Sequence, residues 1–596
     1  MIGVLVHPGD HPTASEFFLL TGTGWEFWRS DNNYDVVVNC GVTTAEVTNA
    51  RVVLSYEGSF EAGRSGPAIA SLEPQAFLIW DDRRLPLYGG ARTFIDPTFL
   101  HEASVNRSAI KVEIGQECIK VAIGYALLAE VKHLLVVGQP ASQATTATLE
   151  GHIELLRELV TRAGQPYVEI LPAPHGHPFI ACLTHDVDHP VLQNHFADHT
   201  MAGFLFRATV GSLVDFGRGR KKLSSVAQNC IAAARLPFVY LGVARDPWAS
   251  FDRYIELEDG RPATYFVITE RDRPGRRDDG PAPSRRACRY TLEDIAPQLN
   301  RILDRGNEVA LHGLDAWNNH AAAERERACL LPLLDRFRQA VDTPDAPSRR
   351  GARATTAERF PSARGSKTDG ADTSTYVAPC HSVSPGIGVR MHWLYYNAKA
   401  SSVLDSAGFS YDSTVGYNQT VGFRAGSARV YRPLGSHHLL ELPLIVMDTA
   451  LFYPDYLGLS EDEAWTVVTR LLDTTARYGG AFTVNWHDRS IAPERLWGDF
   501  YARLIAELGA RRAWFATASG AVAWFQKRRE AVIDYSWSGE NRVQIRARTS
   551  EDAMPPLSIR LHSPRNRRAA ESFVAEHPSR FHDFPLNGLL AADIPL

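Results

Sequence analysis

Thr184-His185-Asp186-Val187-Asp188-His189 sets two carboxylates two residues apart, directly after the apolar run Phe179-Ile180-Ala181-Cys182-Leu183. In an extended strand, residues i and i+2 share a face, so Asp186 and Asp188 converge at the strand's C-terminal end. Carboxylates held this close repel unless a cation or a shared proton relieves them. One acid to hold a metal and a neighbour to move a proton is the arrangement of a metal-assisted hydrolase; the alternative is a strand end with solvated acids. Three further apolar runs end in residues of the same kind. Glu308-Val309-Ala310-Leu311 leads to His312, Ala481-Phe482-Thr483-Val484-Asn485-Trp486 to His487-Asp488, and the stretch from Leu439 to Met447 to Asp448. A lone histidine after a strand is usually structural. Polar groups gathered at the C-terminal ends of successive strands are instead what a parallel (β/α) barrel produces.

The elements that must position these residues fall into three segments. At 596 residues the chain exceeds what one core supports, and about three domains are expected. Residues 1–172 alternate strand-like runs (Asp35–Val38, Arg51–Leu54, Ala76–Trp80, His133–Gly138) with a helical pattern from Leu149 to Arg162, and read as an α/β domain without a nameable catalytic motif. The Pro-rich stretch Pro172–Pro178 punctuates the junction, and its His175 and His177 read as solvated rather than metal-ligating. Residues 173–527 form the catalytic region. It carries a mainly helical insertion at 191–247, either a cap over the site or an extra layer. A second insertion at 342–385 is rich in Arg, Ala, Ser, Thr, Gly and Pro and lacks hydrophobic periodicity, so it reads as a disordered loop. From 528 to 596, alternation in Val543–Ala547 and Leu557–Leu561 predicts a small β-rich appendage.

Bulk composition narrows the function further. The net charge is −5, which offers no basic balance for nucleic acid, and only eight of the 63 basic residues are Lys. The seven cysteines are scattered without a CxxC pair and read as reduced thiols. No basic-then-apolar leader opens the chain, and no apolar run approaches the ~20 residues of a transmembrane helix. A cytoplasmic location is expected, with oligomeric state undetermined.

Taken in order, these motifs resemble those of the NodB-homology polysaccharide deacetylases, carbohydrate esterase family 4, over roughly residues 178–525. Thr184–Asp188 looks like the first motif, in a divergent form with one residue between the acids. Ala263–Val267 and Glu308–His312 look like the strands that follow. Gly388-Val389-Arg390-Met391-His392-Trp393 sits where the family places its arginine motif, Gly408–Thr414 matches another recurring segment, and Val484-Asn485-Trp486-His487 resembles the closing motif. The resemblance implies a distorted (β/α)7 barrel with an N-terminal α/β domain and a small C-terminal β-rich domain. It implies removal of the acetyl group from an N-acetylated sugar or polysaccharide intermediate, with a divalent metal, most commonly Zn2+. Carried over by motif, Asp186 is the general base, Arg390 its holder and His487 the acid. Asp188 and His312 are metal ligands, Asp448 orients His487, and a backbone N–H near Trp393 contributes to an oxyanion site. Trp393, Tyr395 and Trp486 are candidates to stack on a sugar ring, as are Trp317 and Tyr396; core packing is the alternative for each.

One position departs from that pattern. The family carries a second histidine four residues after the first, where this chain has Ala316. Asp315 offers an oxygen ligand from nearly the same place, or caps the following helix; His320, His185 and His189 are the other candidates. Two readings keep the fold but change the activity: a catalytically inactive carbohydrate-binding scaffold, and a cyclic-amide hydrolase.

Overall fold

The computed structural model describes all residues except 43–46, 48, 57–72, 81–82, 93–101, 104–106, 109, 115–117, 220, 343–385, 540, 551–554 and 565–579. The loop expected at 342–385 therefore lies, beyond its first residue, outside the described residues.

The site-bearing unit is a curved sheet of parallel strands: β1 (Ile180–Val187), β2 (Ala263–Val267), β3 (Glu308–Gly313), β4 (Gly388–Met391), β5 (Tyr411–Asp412), β6 (Leu440–Glu441), β7 (Val446–Met447) and β8 (Ala481–Asn485). Their spatial order is β6-β5-β4-β3-β2-β1-β8-β7, with a short ninth strand, β9 (Trp514–Phe515), also paired to β1. Both ends of this path belong to one stretch of chain, since β6 and β7 are separated only by residues 442–445. That stretch spans the gap by backbone bonds to each side: Leu442 N donates to Asp412 O at 2.8 Å and Ile445 N to Thr483 O at 3.1 Å. The sheet thus curls into a barrel-like α/β fold. Helices such as Phe251–Glu258, Ala296–Asp304, Glu461–Tyr478 and Gly498–Ala510 cover its outside.

Alternation along β1 sorts its side chains. Phe179, Ala181 and Leu183 join the outer core against the helices, while Ile180 and Cys182 join a second core with Phe266, Ala310 and Ala481. Continuing that inner row, Thr184 and Asp186 reach the polar end, where their partners come from β3, β4 and β8. The opposite mouth is stoppered by the helix Ala518–Glu530, whose Ala518 N donates to Thr264 Oγ1 at 2.8 Å and Ser519 N to Glu308 at 2.9 Å. The barrel is therefore dry at one end and polar at the other. At the start of β8, Gly480 (φ 109°) lies against the Ala428 backbone, where a Cβ would sit 2.7 Å from the Ala428 carbonyl. No residue but glycine fits that approach.

The N-terminal segment holds a separate sheet ordered Trp25–Phe27, Ile2–Val6, Tyr34–Cys40, Ala50–Tyr56, Ile119–Ile123 and Ile110–Ile114, parallel except for the last pair. The strand expected at His133–Gly138 is instead part of the helix Leu127–Val136. Leu127, Val131, Leu134 and Leu135 bury one helical face, and Gly138 (φ 81°) ends the run in the left-handed conformation; the apolar cluster carried helical as well as strand spacing. The strand Tyr167–Ile170 leaves this segment to pair antiparallel with Leu557–His562, which pairs in turn with Phe581–Leu586. Buried cross-links reinforce the junctions. Arg429 meets Glu150 through Nη2 at 2.6 Å and Nε at 2.8 Å, and Arg528 donates to the carbonyls of Leu20, Ile170 and Leu171.

Candidate functional site

Every side chain at the polar end of the barrel arrives by strand alternation. From β1 come Thr184, Asp186 and, just past its end, Asp188; from β3, His312; from β4 and its exit, Arg390 and His392; from β8 and its exit, Asn485 and His487.

Asp186 is almost fully buried and held on both oxygens. Arg390 Nη1 donates to Oδ1 at 2.9 Å, and Asn485 Nδ2 donates to Oδ2 at 2.7 Å. Arg390 is itself fixed: Nη1 also donates to Thr184 Oγ1, Nε to Ser413 O and Nη2 to Ser413 Oγ, while its guanidinium lies 4.3 Å from the Phe266 ring centroid. A carboxylate held by a guanidinium with no freedom of its own is oriented by it.

Asp188 lies among three histidines, one of which, His312, also stands 3.7 Å from Asp186 Oδ2. Its Oδ1 stands 3.3 Å from His312 Nε2 and 3.8 Å from His392 Nε2, and its Oδ2 stands 4.0 Å from His487 Nε2. Asp188, His312 and His392 each bring a ligand atom within 4.8 Å of the others; the two histidines are buried and the Asp188 side chain is 13% exposed. The residues fit a cation by two observations. Asp188 Oδ1 is buried with no hydrogen-bond partner among the described residues. His312 Nδ1 lies 3.0 Å from the carbonyl oxygen of Arg390 and donates to it, which aims Nε2 at Asp188. A buried carboxylate oxygen without a hydrogen-bond partner, facing two imidazoles, is a place a cation would occupy, and a carbonyl behind a histidine is the usual support of a metal ligand. Burial raises the Asp188 carboxyl, but His392, His312 and His487 outweigh it and hold it well below its ordinary value. Burial also keeps His392 well below its ordinary value despite Asp188, leaving a neutral imidazole. Two imidazoles and one carboxylate suit zinc.

His392 therefore stands where the expectation had Asp315. Asp315 is turned elsewhere: its Oδ1 accepts the Arg276 N–H at 2.6 Å, and Arg273 lies 3.7 Å from its Oδ2. The remaining alternatives also point away from the cluster. His185 meets Glu258 at 2.6 Å on the outer side of β1, His189 packs against His195 and Trp248, and His320 contacts Ser406 and Glu324. His175 and His177 precede β1, so they lie at the far end of the barrel, against Ser558 and Arg512.

Also beside Asp188, His487 is backed by Asp448. Its Nδ1 lies 2.6 Å from Asp448 Oδ1, and its backbone N–H donates to Asp448 Oδ2 at 2.7 Å. Asp448 is fully buried at the start of the helix Asp448–Phe452. Burial opposes charge on His487, yet Asp448, with Asp188 and Asp186, overcomes it and lifts the imidazole to about 10. Nε2 is thus protonated and aimed into the site at neutral pH.

The aromatic candidates divide. Trp486 is fully buried, stacked on Phe500 and Tyr501 at 5.8 and 5.2 Å, so both faces are occupied by core and its expected role in sugar stacking is not what its packing provides. Trp317 is also in the core. Trp393 and Tyr395 are half-buried, with rings 6.2 Å apart and with Arg285 and Arg286 over them. Trp393 and Leu394 both adopt left-handed backbone (φ 63° and 51°) immediately after His392, a strain of order 1–2 kcal/mol each. Such strain gathers where side chains must be aimed.

No family model matches the chain, and no curated protein matches it. Among solved structures, it is similar to a candidate polysaccharide deacetylase from Mycobacterium smegmatis, with 17% identity and a TM-score of 0.31 over 60% of this chain and 95% of that one. It is similar to PuuE allantoinase at 14% identity and a TM-score of 0.29, over 58% of this chain and 89% of that one. A candidate glycoside hydrolase/deacetylase from Parabacteroides distasonis matches at 9% identity and a TM-score of 0.29, over 69% and 86%.

Proposed function

We propose that the protein is a metal-dependent amidohydrolase that removes the acetyl group from an N-acetylated sugar or polysaccharide intermediate. The observation that carries this reading is the pair of groups beside Asp188: a carboxylate, Asp186, held on both oxygens, and an imidazole, His487, backed by the buried Asp448. A proton acceptor and a proton donor at one reacting centre are what amide hydrolysis requires. Asp188, His312 and His392 would hold the cation. When bound, a divalent ion supplies a Lewis acid for the amide carbonyl and lowers the pKa of a water molecule.

The remaining steps belong to the chain's own groups. Asp186 accepts a proton from the attacking water, whose oxygen bonds to the carbonyl carbon; Arg390 and Asn485 keep the carboxylate aimed as it does so. As the C–N bond breaks, the Nε2 proton of His487 passes to the departing nitrogen, so the amine leaves neutral. Asp448 stabilises the imidazolium before that transfer and fixes its orientation. The half-buried Trp393 and Tyr395 offer apolar faces to a sugar ring, and the backbone N–H near Trp393 is the proposed donor to the oxyanion. A scaffold has no use for a carboxylate clamped on both oxygens or for an imidazole raised by a buried acid.

The test is acetate release from N-acetylated amino sugars and their oligomers, run beside small cyclic amides, using zinc-loaded protein and its Asp186→Asn variant. Acetate release that vanishes in the variant while zinc stays bound supports the reading. Turnover of only the cyclic amides would replace the substrate assignment, and full activity in the variant would refute the base.

A further inference from the structure

The insertion between β1 and β2 leaves the barrel from the end that carries Asp186 and Asp188. It forms a helical run, His199–Phe206, Arg207–Gly211 and Ser212–Gly217, followed by a long helix, Leu223–Tyr240. One side of this hairpin has a core of its own: Phe204, Ala208 and Leu236 pack with Leu192, Trp248 and Ala492. Lys221 Nζ donates to the Glu494 carbonyl and Trp248 Nε1 to the Glu494 carboxylate, which ties the hairpin to the loop after β8 beside His487.

The other side is exposed among the described residues. Phe206, Val210 and Leu213 on the first run, and Leu223, Ile231 and Phe238 on the second, recur at helical spacing, and each is more than half exposed. Leu241 and Val243 extend the row. Eleven of the eighteen large hydrophobic residues exposed among the described residues fall between Phe196 and Val243. Scattered surface apolar residues are ordinary, but a contiguous row on two adjacent helices marks an interaction face.

Charge indicates what that face meets. Residues 199–245 contain seven Lys and Arg and a single acid, Asp215, within a chain of net charge −5. Arg218, Lys222, Arg235 and Arg245 are exposed, Arg218 and Lys222 flanking the turn between the helices. A second copy docked face to face would set basic against basic. An anionic bilayer offers both complements together, phosphate headgroups for the cations and acyl chains for the apolar row. No described helix is long and apolar enough to cross a membrane, so the hairpin would lie in the interface. We propose that the 199–245 hairpin docks the protein on an anionic lipid surface with the catalytic end of the barrel toward the bilayer. This assignment is independent of the reaction proposed above.

Flotation of the full-length protein with vesicles tests it. Binding is expected to vesicles containing one-third phosphatidylglycerol but not to pure phosphatidylcholine, with release at high salt. Each basic residue at such a surface contributes about a five-fold gain in partitioning, so Arg218→Glu/Lys222→Glu lowers binding by at least about 25-fold. Leu213→Ser/Phe238→Ser lowers it at least ten-fold. All four positions are exposed, so circular dichroism and zinc content should match wild type. Absence of flotation, or flotation untouched by both variants, would overturn the assignment. So would a wild-type dimer in light scattering that Leu213→Ser/Phe238→Ser converts to monomer without any vesicle binding, which would give the face to a second copy.

Discussion

Asp448→Asn preserves the shape behind His487 while removing its charge. In the native site, Asp448 Oδ1 lies 2.6 Å from Nδ1 and Oδ2 accepts the His487 N–H, and Asp448 is the strongest of the influences that raise the imidazole. The imidazole then titrates at about 10, so at pH 7.5 essentially every molecule carries the donor proton. A cation at Asp188 cancels that residue's share and leaves Asp448's. Without the Asp448 charge, burial dominates and the pKa falls below the ordinary ~6.5, leaving roughly a tenth or less of the imidazole protonated at pH 7.5. The asparagine nitrogen also cannot accept, so either the ring or the backbone N–H loses its partner. Loss of the protonated form alone costs about ten-fold, and loss of a positioned general acid costs ~10²–10⁴. The expected result is a kcat/KM near pH 8 lowered by about 10²-fold, with the deficit shrinking as pH falls toward 6. The basic limb of the pH profile, above pH 8 in wild type, moves acid-ward by more than one unit. Steady-state acetate release across pH 5.5–10, with zinc content measured in parallel, reads both quantities. A variant whose basic limb stays where the wild type's lies would refute the role of the pair; so would His487→Ala retaining that limb.

Four other outcomes follow from the same geometry. His392→Ala should lose zinc in an equilibrium dialysis measurement while Asp315→Ala retains it, because Asp315 is occupied by Arg276 and Arg273; the reverse would return the third ligand to Asp315. Arg390→Lys should keep zinc but lower kcat more than it raises KM, since an ammonium cannot hold Asp186, Thr184 and Ser413 at once. Arg429→Met strands a buried Glu150 and should lower stability to denaturant by about 3–5 kcal/mol. Burial raises Glu130 from 4.5 to about 7 in the folded chain, against the Tyr88 and Gly89 N–H groups. A raised carboxyl binds its proton more tightly when folded, so this group's contribution is full below ~4.5 and declines as pH rises through 7. It amounts to about 3 kcal/mol, and Glu130→Gln should flatten that part of the stability profile relative to wild type.

Much of the site was legible because alternation in a strand is a rigid rule. Asp186 and Asp188 were paired by it, and His312, Arg390 and His487 stand at strand ends as their positions indicated. His392 obeys the same rule, two residues beyond Arg390 at the exit of β4, but nothing in its spacing from His312 along the chain marks it as a partner of that residue. The two strands are neighbours, with His312 opposite Arg390 in register, so the candidate third ligand lies across the sheet rather than along the chain. Sequence distance hides such cross-strand proximity. Asp448 follows one of the shortest strands, Val446–Met447, and opens a helix; the motif resemblance pairs it with His487, but only the curvature that brings β7 beside β8 sets it behind that residue. His133–Gly138 reads as a strand yet its first four residues close the helix Leu127–Val136, since a short run of Val and Leu satisfies either period until its flanks are counted.

The pairing of Tyr167–Ile170 with Leu557–His562 has a consequence for biogenesis. The earlier strand emerges from the ribosome almost four hundred residues before its partner. At ~5–20 residues per second this is a wait of about 20–80 s with one edge unpaired. The barrel strands, which need only neighbours from within their own segment, can assemble in that interval. An open strand edge is a template for wrong partners, so the nascent chain should depend on a holding chaperone until Leu557–His562 is made. Truncation before Leu557 should then yield aggregated protein even though every residue of the candidate site has been synthesised.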